Sequence, residues 1–277
     1  MGACRVFAHL FFCLRCIKQQ NFVCICHIMA IDMCGYMMYN CHNTKWRSAM
    51  KIKGLQKLTL LDYPGRLAAT VFLGGCNFRC PFCHNASLVV RGDDAEISEE
   101  ELFAFLESRR GKLSGVCITG GEPTLYPSLP SFIERIRALG YSVKLDTNGT
   151  NPEMLESLVR GGLIDYVAMD VKTSIEGYGR VAGVPGLDTT PIERSIDFLL
   201  SGAVEYEFRT TVVRELHSAA DLEALAKRIR GAGAYFLQPF KDSGDIIEDG
   251  LSSYSTAEIS ALLNLVKTYI PNAQIRG

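Results

Sequence analysis

Three cysteines, Cys76, Cys80 and Cys83, lie on one short loop that also contains glycine and proline. The loop follows an apolar, β-branched run at residues 67–73, which predicts a strand. Thiolates are soft metal ligands, and they are the usual ligands of iron–sulfur clusters. Because a [4Fe–4S] cluster has one more iron than this loop has cysteines, one iron would stay open to an exogenous ligand. Chemistry can take place at that open position.

A structural zinc site is the alternative, with these cysteines and a distant Cys or His as ligands. Structural zinc sites commonly combine two pairs of closely spaced ligands. The chain after Cys83 contains one further cysteine, Cys117, and therefore no second pair. The spacing favours an iron–sulfur cluster.

Length and composition are compatible with one large domain or two small ones, because 277 residues can bury a sizeable core. The formal net charge is −1 and 48% of the residues are hydrophobic, which gives no indication of a nucleic-acid partner. No apolar run reaches the length of a membrane span, so we expect no membrane partner. We expect a cytoplasmic protein, since oxidising compartments convert thiols to disulfides.

The first 49 residues differ from the rest, because they hold seven of the eleven cysteines and no proline. They show neither helical nor strand periodicity, so we expect residues 1–49 to be a disordered extension from a misassigned start. Residues 50–277 are then the folded domain. A signal peptide at Val6–Leu14 is disfavoured, since no small-residue cleavage site follows it. A second metal site is the alternative for Cys13-x2-Cys16 and Cys24-x-Cys26-His27.

Short β-branched runs alternate with helical patterns from Leu67 onward, which predicts strand–helix units around a parallel sheet. The expected strands are residues 67–73, 115–119, 141–145, 164–169, 204–213 and 234–237. Helices are expected to begin near Ser98, Leu129, Asn151, Thr190, Ser218 and Ser255, with capping boxes at Ser98, Thr190 and Ser255. Six such units predict an α/β fold, a partial (β/α)6 TIM-like barrel that is open on one side. A doubly wound open sheet is the alternative.

Polar and glycine-rich motifs follow three of the expected strands, at residues 120–123, 146–149 and 170–172. Barrel folds place their active sites at the carboxyl ends of the strands. The charges of Asp146, Asp170 and Lys172 would be costly to bury unless they are paired or bind a ligand. We therefore expect these motifs and the cysteine loop to surround one site. The alternative for Asp170 and Lys172 is an ion pair at the barrel rim.

The cysteine loop, with Phe82 directly before its last cysteine, resembles the first motif of the radical S-adenosylmethionine (radical SAM) superfamily. Gly120-Gly121-Glu122-Pro123 is similar to the second motif of that superfamily. Glycyl-radical-enzyme activating proteins have motifs similar to Cys83-His84-Asn85, Asp146-Thr147-Asn148-Gly149 and Asp170-x-Lys172. The opening residues 54–65 most resemble the group that activates anaerobic ribonucleoside-triphosphate reductase. The resemblance covers about residues 50–275.

This resemblance implies an oxidoreductase that uses a [4Fe–4S] cluster and S-adenosylmethionine. The cluster would give an electron to S-adenosylmethionine, and the resulting 5′-deoxyadenosyl radical would take a hydrogen atom from a glycine of a partner. The implied partners are anaerobic ribonucleoside-triphosphate reductase and a low-potential electron donor such as flavodoxin or ferredoxin. Since the cofactors supply the difficult chemistry, no side chain is expected to act as an acid or a base.

The resemblance also implies roles for individual residues. Cys76, Cys80 and Cys83 would hold the cluster, and Phe82 would lie against the adenine. The groups expected to contact the rest of the cofactor are Gly120, Gly121, Glu122, Pro123, Asn148, Lys172, Arg209 and Gln238. A monovalent-cation site is expected at Asp146, Thr147 and Asp170. The alternative for Arg209 is a structural pair with Glu205 or Glu207.

Two other functions remain open. A radical SAM enzyme that acts on a small molecule, such as a nucleotide precursor, would share the first two motifs. A metal-binding scaffold without catalysis would share only the cysteine loop. The fourteen residues between Cys83 and Ser98 contain no cysteine, which disfavours a second cluster there.

Two long segments, Ser174–Thr189 and Lys241–Ser255, are rich in glycine or polar residues. Since they are long for connections in this kind of fold, we expect them to act as gates for a protein partner. Cys117 is expected to be a small buried hydrophobe. His217 is expected to lie on the surface near the start of a helix.

Overall fold

Eight strands of the described residues form one sheet, in the order in which they follow one another along the chain. The computed structural model describes residues 50–90 and 96–277. The strands are β1 (Ile52–Thr59), β2 (Ala68–Leu73), β3 (Gly115–Gly120), β4 (Ser142–Thr147), β5 (Tyr166–Asp170), β6 (Glu205–Val212), β7 (Tyr235–Pro239) and β8 (Gln274–Ile275). β1 is antiparallel to β2, and every later pair of neighbours is parallel. The expectations for residues 1–49, including the second metal site, lie outside the described residues.

The strand order decides between the two topologies that the sequence leaves open. In a doubly wound sheet the order reverses at a switch point, whereas in a (β/α) barrel each unit advances in the same direction. Here the order runs from β1 to β8 without a reversal, which confirms the partial barrel. β1 and β8 lie outside the six predicted units, because β1 lacks a clean alternation of buried and exposed positions and β8 has two residues.

The helices connect successive strands on the outside of this sheet. They are α1 (Ala86–Val90), α2 (Glu99–Ser108), α3 (Leu129–Ala138), α4 (Pro152–Arg160), α5 (Tyr178–Val181), α6 (Thr190–Leu200), α7 (Ala219–Arg228) and α8 (Thr256–Lys267), with a 3-10 turn at Pro123–Leu125. Across the part of the chain that the structure describes, none of them has the length and apolarity needed to cross a membrane.

Helix starts agree with the predicted capping, with one exception. Capping boxes are present at Ser98, Ser218 and Ser255. The predicted box at Thr190 is wrong, because Thr190 is the first residue of α6 and not its cap. Its backbone N–H instead donates to the carboxylate of Asp188 at 3.0 Å, so that acidic side chain satisfies a donor of the first turn.

The apolar face of each long helix is buried against the sheet. In α3 the buried side chains recur at helical spacing, and they are Leu129, Phe132, Ile133 and Ile136. Burying one side chain of this size stabilises the fold by about 1.5–3 kcal/mol before entropic costs. Helices packed in this way hold the carboxyl ends of the strands, and the loops that follow them, in fixed positions.

A buried carboxylate ties the C-terminal residues to β6. Glu207 is 1% exposed, and the guanidinium of Arg276 donates to its two oxygens at 2.7 and 2.9 Å. The hydroxyl of Tyr166 donates to the same carboxylate at 3.0 Å. A buried charge needs such partners, so Glu207 and Arg276 form a structural pair.

Candidate active site

The cysteine loop opens directly into a cavity at the carboxyl ends of the parallel strands. The cavity has a volume of about 430 Å³, and all three cysteines of the loop line it. The other predicted site residues that line it are Phe82, Gly120, Gly121, Asp146, Thr147, Asn148, Asp170, Lys172, Arg209 and Gln238. Motifs separated by more than a hundred residues in sequence therefore meet at one site, as parallel strands in a barrel require.

Burial disfavours the thiolate form of all three cysteines of the loop. Burial raises the pKa of Cys76 to about 11, and it also raises the pKa of Cys80 and of Cys83. A metal ligand must be a thiolate, so binding of a metal centre here displaces protons. Lys172 contributes a positive charge that favours the thiolate of Cys80, although burial outweighs it.

The donor set suits a cluster better than a single ion. Within residues 50–90 and 96–277, no three His, Cys, Asp or Glu side chains converge where one metal ion could bind. The thiols of Cys76, Cys80 and Cys83 instead lie along the wall of a common cavity. Thiolate ligands and a shared cavity fit an iron–sulfur cluster, whose irons are spread over a larger volume.

Two glycines bring the end of β3 against the cysteine loop. A Cβ atom at Gly120 would overlap the backbone of Leu73, and one at Gly121 would overlap the carbonyl oxygen of Gly75. Gly120 also has a φ of +116°, which side chains rarely allow. The backbone N–H of Gly121 donates to Leu73 O at 2.8 Å, and that of Glu122 donates to Gly75 O at 2.8 Å. These residues fix the cysteine loop to the neighbouring strand.

Glu122 and Pro123 lie behind the cavity wall and do not line it. Glu122 is fully buried and accepts four hydrogen bonds, from Thr124 N and Oγ1, Thr147 Oγ1 and Asn148 N. Burial raises the pKa of Glu122, while these hydrogen bonds favour its ionised form. Pro123 begins the 3-10 turn that follows. Glu122 is therefore a positioning residue for the end of β4.

Asn148 reaches across to the cysteine loop. Its Nδ2 donates to Oδ1 of Asn77 at 2.9 Å, and it lies 3.9 Å from Sγ of Cys76. Its own Oδ1 accepts hydrogen bonds from the N–H and the hydroxyl of Thr150. The side chain is therefore held at the cavity by partners on both sides.

Five charged side chains form a chain of alternating sign, and all of them except Lys144 line the cavity. From one end to the other they are Lys144, Asp146, Arg209, Asp170 and Lys172. The distances are 3.1 Å from Arg209 Nη1 to Asp146, 2.8 Å from Arg209 Nε to Asp170, and 3.2 Å from Lys172 Nζ to Asp170. We call these five residues the charge chain.

The charge chain keeps its carboxylates ionised despite their surroundings. Burial alone would raise the pKa of Asp170, but Arg209 and Lys172 lower it to about 2. Burial also opposes ionisation of Asp146, and Arg209 with Lys144 lowers its pKa. The ion pair considered for Asp170 and Lys172 is therefore present, whereas Arg209 pairs with neither Glu205 nor Glu207. Arg209 faces Asp170 in the register of β5 and β6, which explains this choice.

His217 is buried, so its predicted surface position is wrong. It is 1% exposed, because the turn after β6 folds its ring inward. Val213 N–H lies 3.1 Å from Nδ1, and Nε2 lies 2.7 Å from the carbonyl oxygen of Lys172. This pattern assigns Nδ1 as acceptor and Nε2 as donor. Burial lowers the pKa of His217, so the ring is neutral at neutral pH.

The segment Ser174–Thr189 packs against the cysteine loop and supports it. This packing does not fit the interpretation of the segment as a gate. Tyr178, Val181 and Ala182 are fully buried. The backbone N–H of Arg79 in the cysteine loop donates to Ala182 O at 2.9 Å. The hydroxyl of Tyr178 accepts from the N–H of Lys172 at 3.1 Å. Length and glycine content favoured a gate, but Gly183 here permits close packing against Arg79.

The segment Lys241–Ser255 is also attached to the cysteine loop. The N–H groups of Ile247 and Glu248 donate to the carbonyl oxygen of Pro81 at 3.1 and 3.0 Å. The carboxylate of Asp245 accepts a hydrogen bond from the hydroxyl of Ser87 at 2.7 Å. A gate in this segment would have to break these contacts in order to open.

Three further residues that belong to none of the site motifs lie at or near the cavity. Cys117 is fully buried, as expected, and its Sγ lies 3.7 Å from Asp146 and 3.8 Å from Lys144. Lys144 is 1% exposed, and a lysine inside a strand expected to be buried is itself a signal of a paired charge. Asp62 lines the cavity and accepts a hydrogen bond from Thr70 Oγ1 at 2.5 Å.

Comparison with protein families identifies this arrangement. The sequence model of the radical SAM superfamily matches residues 70–216, from β2 to the turn after β6. The chain belongs to the radical SAM superfamily. This radical SAM protein is therefore an enzyme whose cofactors are a [4Fe–4S] cluster and S-adenosylmethionine.

Relatives of this radical SAM enzyme include the "Putative glycyl-radical enzyme activating enzyme" of Methanocaldococcus jannaschii. The two are 34% identical over 231 residues, which cover 81% of this chain and 95% of that protein. A pyruvate formate-lyase-activating enzyme of Listeria monocytogenes is 30% identical over 44% of this chain and 53% of its own length. A 7-carboxy-7-deazaguanine synthase of Methanopyrus kandleri is 28% identical over 68% of this chain and 79% of its own length. The predicted resemblance to activating proteins is confirmed.

Solved structures agree with the fold. Streptococcus suis SuiB bound to S-adenosylmethionine matches 73% of this chain and 48% of that chain, with a TM-score of 0.58 and 17% identity. A structure of TYW1 with a lysine-pyruvate adduct matches 73% of each chain, with a TM-score of 0.53 and 17% identity. At this level of identity the likeness concerns the partial barrel alone.

Proposed function

We propose that this radical SAM enzyme generates a glycyl radical on a partner protein. The observation that carries the proposal is the match to the M. jannaschii protein, which spans 95% of that protein's length. The relatives that activate pyruvate formate-lyase support the same class over a shorter stretch. The three cysteines and residues from the motifs at 120–123, 146–149 and 170–172 line one cavity in the structure.

In this proposal Cys76, Cys80 and Cys83 would hold the cluster. Together the two cofactors supply the one-electron chemistry that forms a carbon radical. The chain's own residues bind, orient and shield. Lys172 presents an ammonium group that Asp170 holds at 3.2 Å, and it would bind a carboxylate. Phe82 is 4% exposed and lines the cavity, so it would offer an apolar surface to a planar ring.

Water exclusion follows from how the site is packed. Segments Ser174–Thr189 and Lys241–Ser255 are both hydrogen-bonded to the cysteine loop. Packing from these two sides would limit the access of solvent to a reactive carbon radical. No side chain in this proposal accepts or donates a proton, in agreement with chemistry supplied by the cofactors.

We propose anaerobic ribonucleoside-triphosphate reductase as the partner, and flavodoxin or ferredoxin as the electron donor. Residues 54–65, which carry the resemblance to that group of activating proteins, form most of β1 and the turn before β2. Asp62, in the same stretch, lines the cavity. The stretch that suggests this partner therefore also contributes to the site.

The test uses anaerobically reconstituted enzyme with S-adenosylmethionine and a reductant. We expect release of 5′-deoxyadenosine, and with the reductase present a glycyl radical detected by electron paramagnetic resonance. Cys80→Ala should abolish both, while Cys117→Ala, which removes a buried cysteine of β3 outside the loop, should keep its iron. Release of 5′-deoxyadenosine without a radical on the reductase would contradict the proposed partner.

A second candidate is an enzyme that acts on a small molecule. The 7-carboxy-7-deazaguanine synthase of M. kandleri, matched over 79% of its length, favours it. Formation of 7-carboxy-7-deazaguanine by this enzyme, measured by mass spectrometry, would support that candidate. A metal-binding scaffold without catalysis does not fit a chain of the radical SAM superfamily.

A further inference from the structure

The side chains expected to bind a monovalent cation already have partners within the chain. Both oxygens of Asp146 accept hydrogen bonds. Oδ1 accepts from Lys144. Oδ2 accepts from Thr119 Oγ1 and from Arg209 Nη1, both at 3.1 Å. Both oxygens of Asp170 also accept, one from Arg209 at 2.8 Å and one from Lys172 at 3.2 Å. Each carboxylate is therefore neutralised by side chains of the protein itself.

Thr147, the third expected ligand, is also engaged elsewhere. Its hydroxyl donates to the buried carboxylate of Glu122 at 2.8 Å and accepts from the N–H of Gly149 at 3.1 Å. A metal cation placed between Asp146 and Asp170 would lie beside the fixed positive charge of Arg209. Like charges at such short range repel strongly in a partly buried site. The residues present do not fit a bound cation.

We propose that the guanidinium of Arg209 is itself the cation of this site. It joins Asp146 to Asp170 and holds Asp170 so that Lys172 points into the cavity. The enzyme then binds S-adenosylmethionine without a monovalent metal ion.

The geometry suits an arginine at this position. Arg209 lies opposite Asp170 in the register of β5 and β6, so the two side chains leave neighbouring strands at the same level. A guanidinium is planar and has several N–H donors, so one group can bind two carboxylates at once. Its side chain is 15% exposed and that of Asp146 is 13% exposed, so solvent competes little for these bonds. Arg209 is a positioning residue that acts through Asp170 on Lys172.

The first test changes the cation and leaves the protein unchanged. The Kd of reconstituted wild-type enzyme for S-adenosylmethionine is measured by equilibrium dialysis in potassium, sodium and tetramethylammonium chloride at equal ionic strength. Tetramethylammonium is too large to enter a site between two carboxylates. We expect the Kd to change by less than about two-fold, which is under half a kcal/mol. A larger loss of affinity in tetramethylammonium would overturn the proposal.

The second test removes the guanidinium. Arg209→Ala leaves two carboxylates with a space between them. Potassium or millimolar guanidinium should therefore restore part of the stability and of the affinity for S-adenosylmethionine that the variant loses. We expect both the thermal unfolding temperature of the cluster-free protein and the affinity for S-adenosylmethionine to rise when either ion is added. A variant that does not respond to either ion would overturn the proposal.

Arg276→Ala is the matched control, because it also removes an arginine from a buried carboxylate, that of Glu207. It should lower the unfolding temperature without making the affinity for S-adenosylmethionine dependent on the cation. If Arg209→Ala does not fold, Arg209→Lys keeps the charge and should bind S-adenosylmethionine independently of the cation. If binding of S-adenosylmethionine by Arg209→Lys depended on the cation, this would contradict the proposal that a side chain supplies the positive charge of the site.

Discussion

Lys172 and His217 are joined by a hydrogen bond of 2.7 Å between the ring Nε2 and the main-chain carbonyl oxygen. The bond fixes the backbone at the position from which the ammonium group of Lys172 enters the cavity. Phe82 lies against the same ring, with 6.1 Å between ring centroids. A buried, neutral histidine therefore connects the cysteine loop with the strand end that carries Lys172.

The pH dependence of stability should report His217. Burial lowers its pKa below the usual 6.5, so the folded state binds fewer protons than the unfolded state as the pH falls. Its contribution is complete above about pH 6.5 and is lost toward the lowered pKa, with a slope of up to about 1.4 kcal/mol per pH unit. Chemical denaturation of the cluster-free protein at several pH values measures this slope. His217→Ala should be less stable at neutral pH and should show a shallower slope, and equal slopes would contradict the assignment.

Two glycines in the segment Ser174–Thr189 provide a matched pair of variants. Gly183 and Gly186 have φ values of +67° and +71°, so alanine strains both equally. A Cβ at Gly183 would also overlap the carbonyl oxygen of Arg79, whereas nothing lies within 4 Å of one at Gly186. We expect Gly183→Ala to reduce iron bound after reconstitution and to lose more than about 1 kcal/mol beyond the cost of Gly186→Ala. Equal effects would show that this segment does not support the cysteine loop.

The buried carboxylate of Glu122 should matter for binding although it does not line the cavity. Glu122→Ala leaves the N–H groups of Thr124 and Asn148 without their acceptor, and each such loss costs about 1–3 kcal/mol. We expect a lower unfolding temperature and, through displacement of Asn148, weaker binding of S-adenosylmethionine. Glu134→Ala, on the exposed face of α3, is the control and should change neither. Loss of stability with unchanged affinity would mean that Asn148 does not contact the cofactor.

Sequence periodicity predicted strands β2 to β7 and most helix starts, because buried faces repeat at fixed intervals. The predicted site residues other than Glu122 and Pro123 line one cavity, because parallel strands bring their carboxyl ends to one edge. The partner of Arg209 could not be predicted, since it depends on the register of β5 against β6. The burial of His217 and of Tyr178 depends on how loops fold back. Spacing in the sequence carries no information on either.

We predict that the folded domain begins at Met50. All three cysteines of the cavity follow residue 50, and β1 begins at Ile52. We expect a chain that begins at Met50 to bind as much iron as the full chain and to unfold at the same temperature. A loss of iron on truncation would contradict the boundary.

Transfer of a labelled hydrogen atom shows whether the enzyme takes hydrogen from a glycine of the reductase. Anaerobic ribonucleoside-triphosphate reductase deuterated at its glycine Cα atoms is incubated anaerobically with the enzyme, S-adenosylmethionine and reduced flavodoxin. We expect 5′-deoxyadenosine to gain one deuterium, in step with the appearance of the glycyl radical. Unlabelled 5′-deoxyadenosine, with no radical on the reductase, would contradict it.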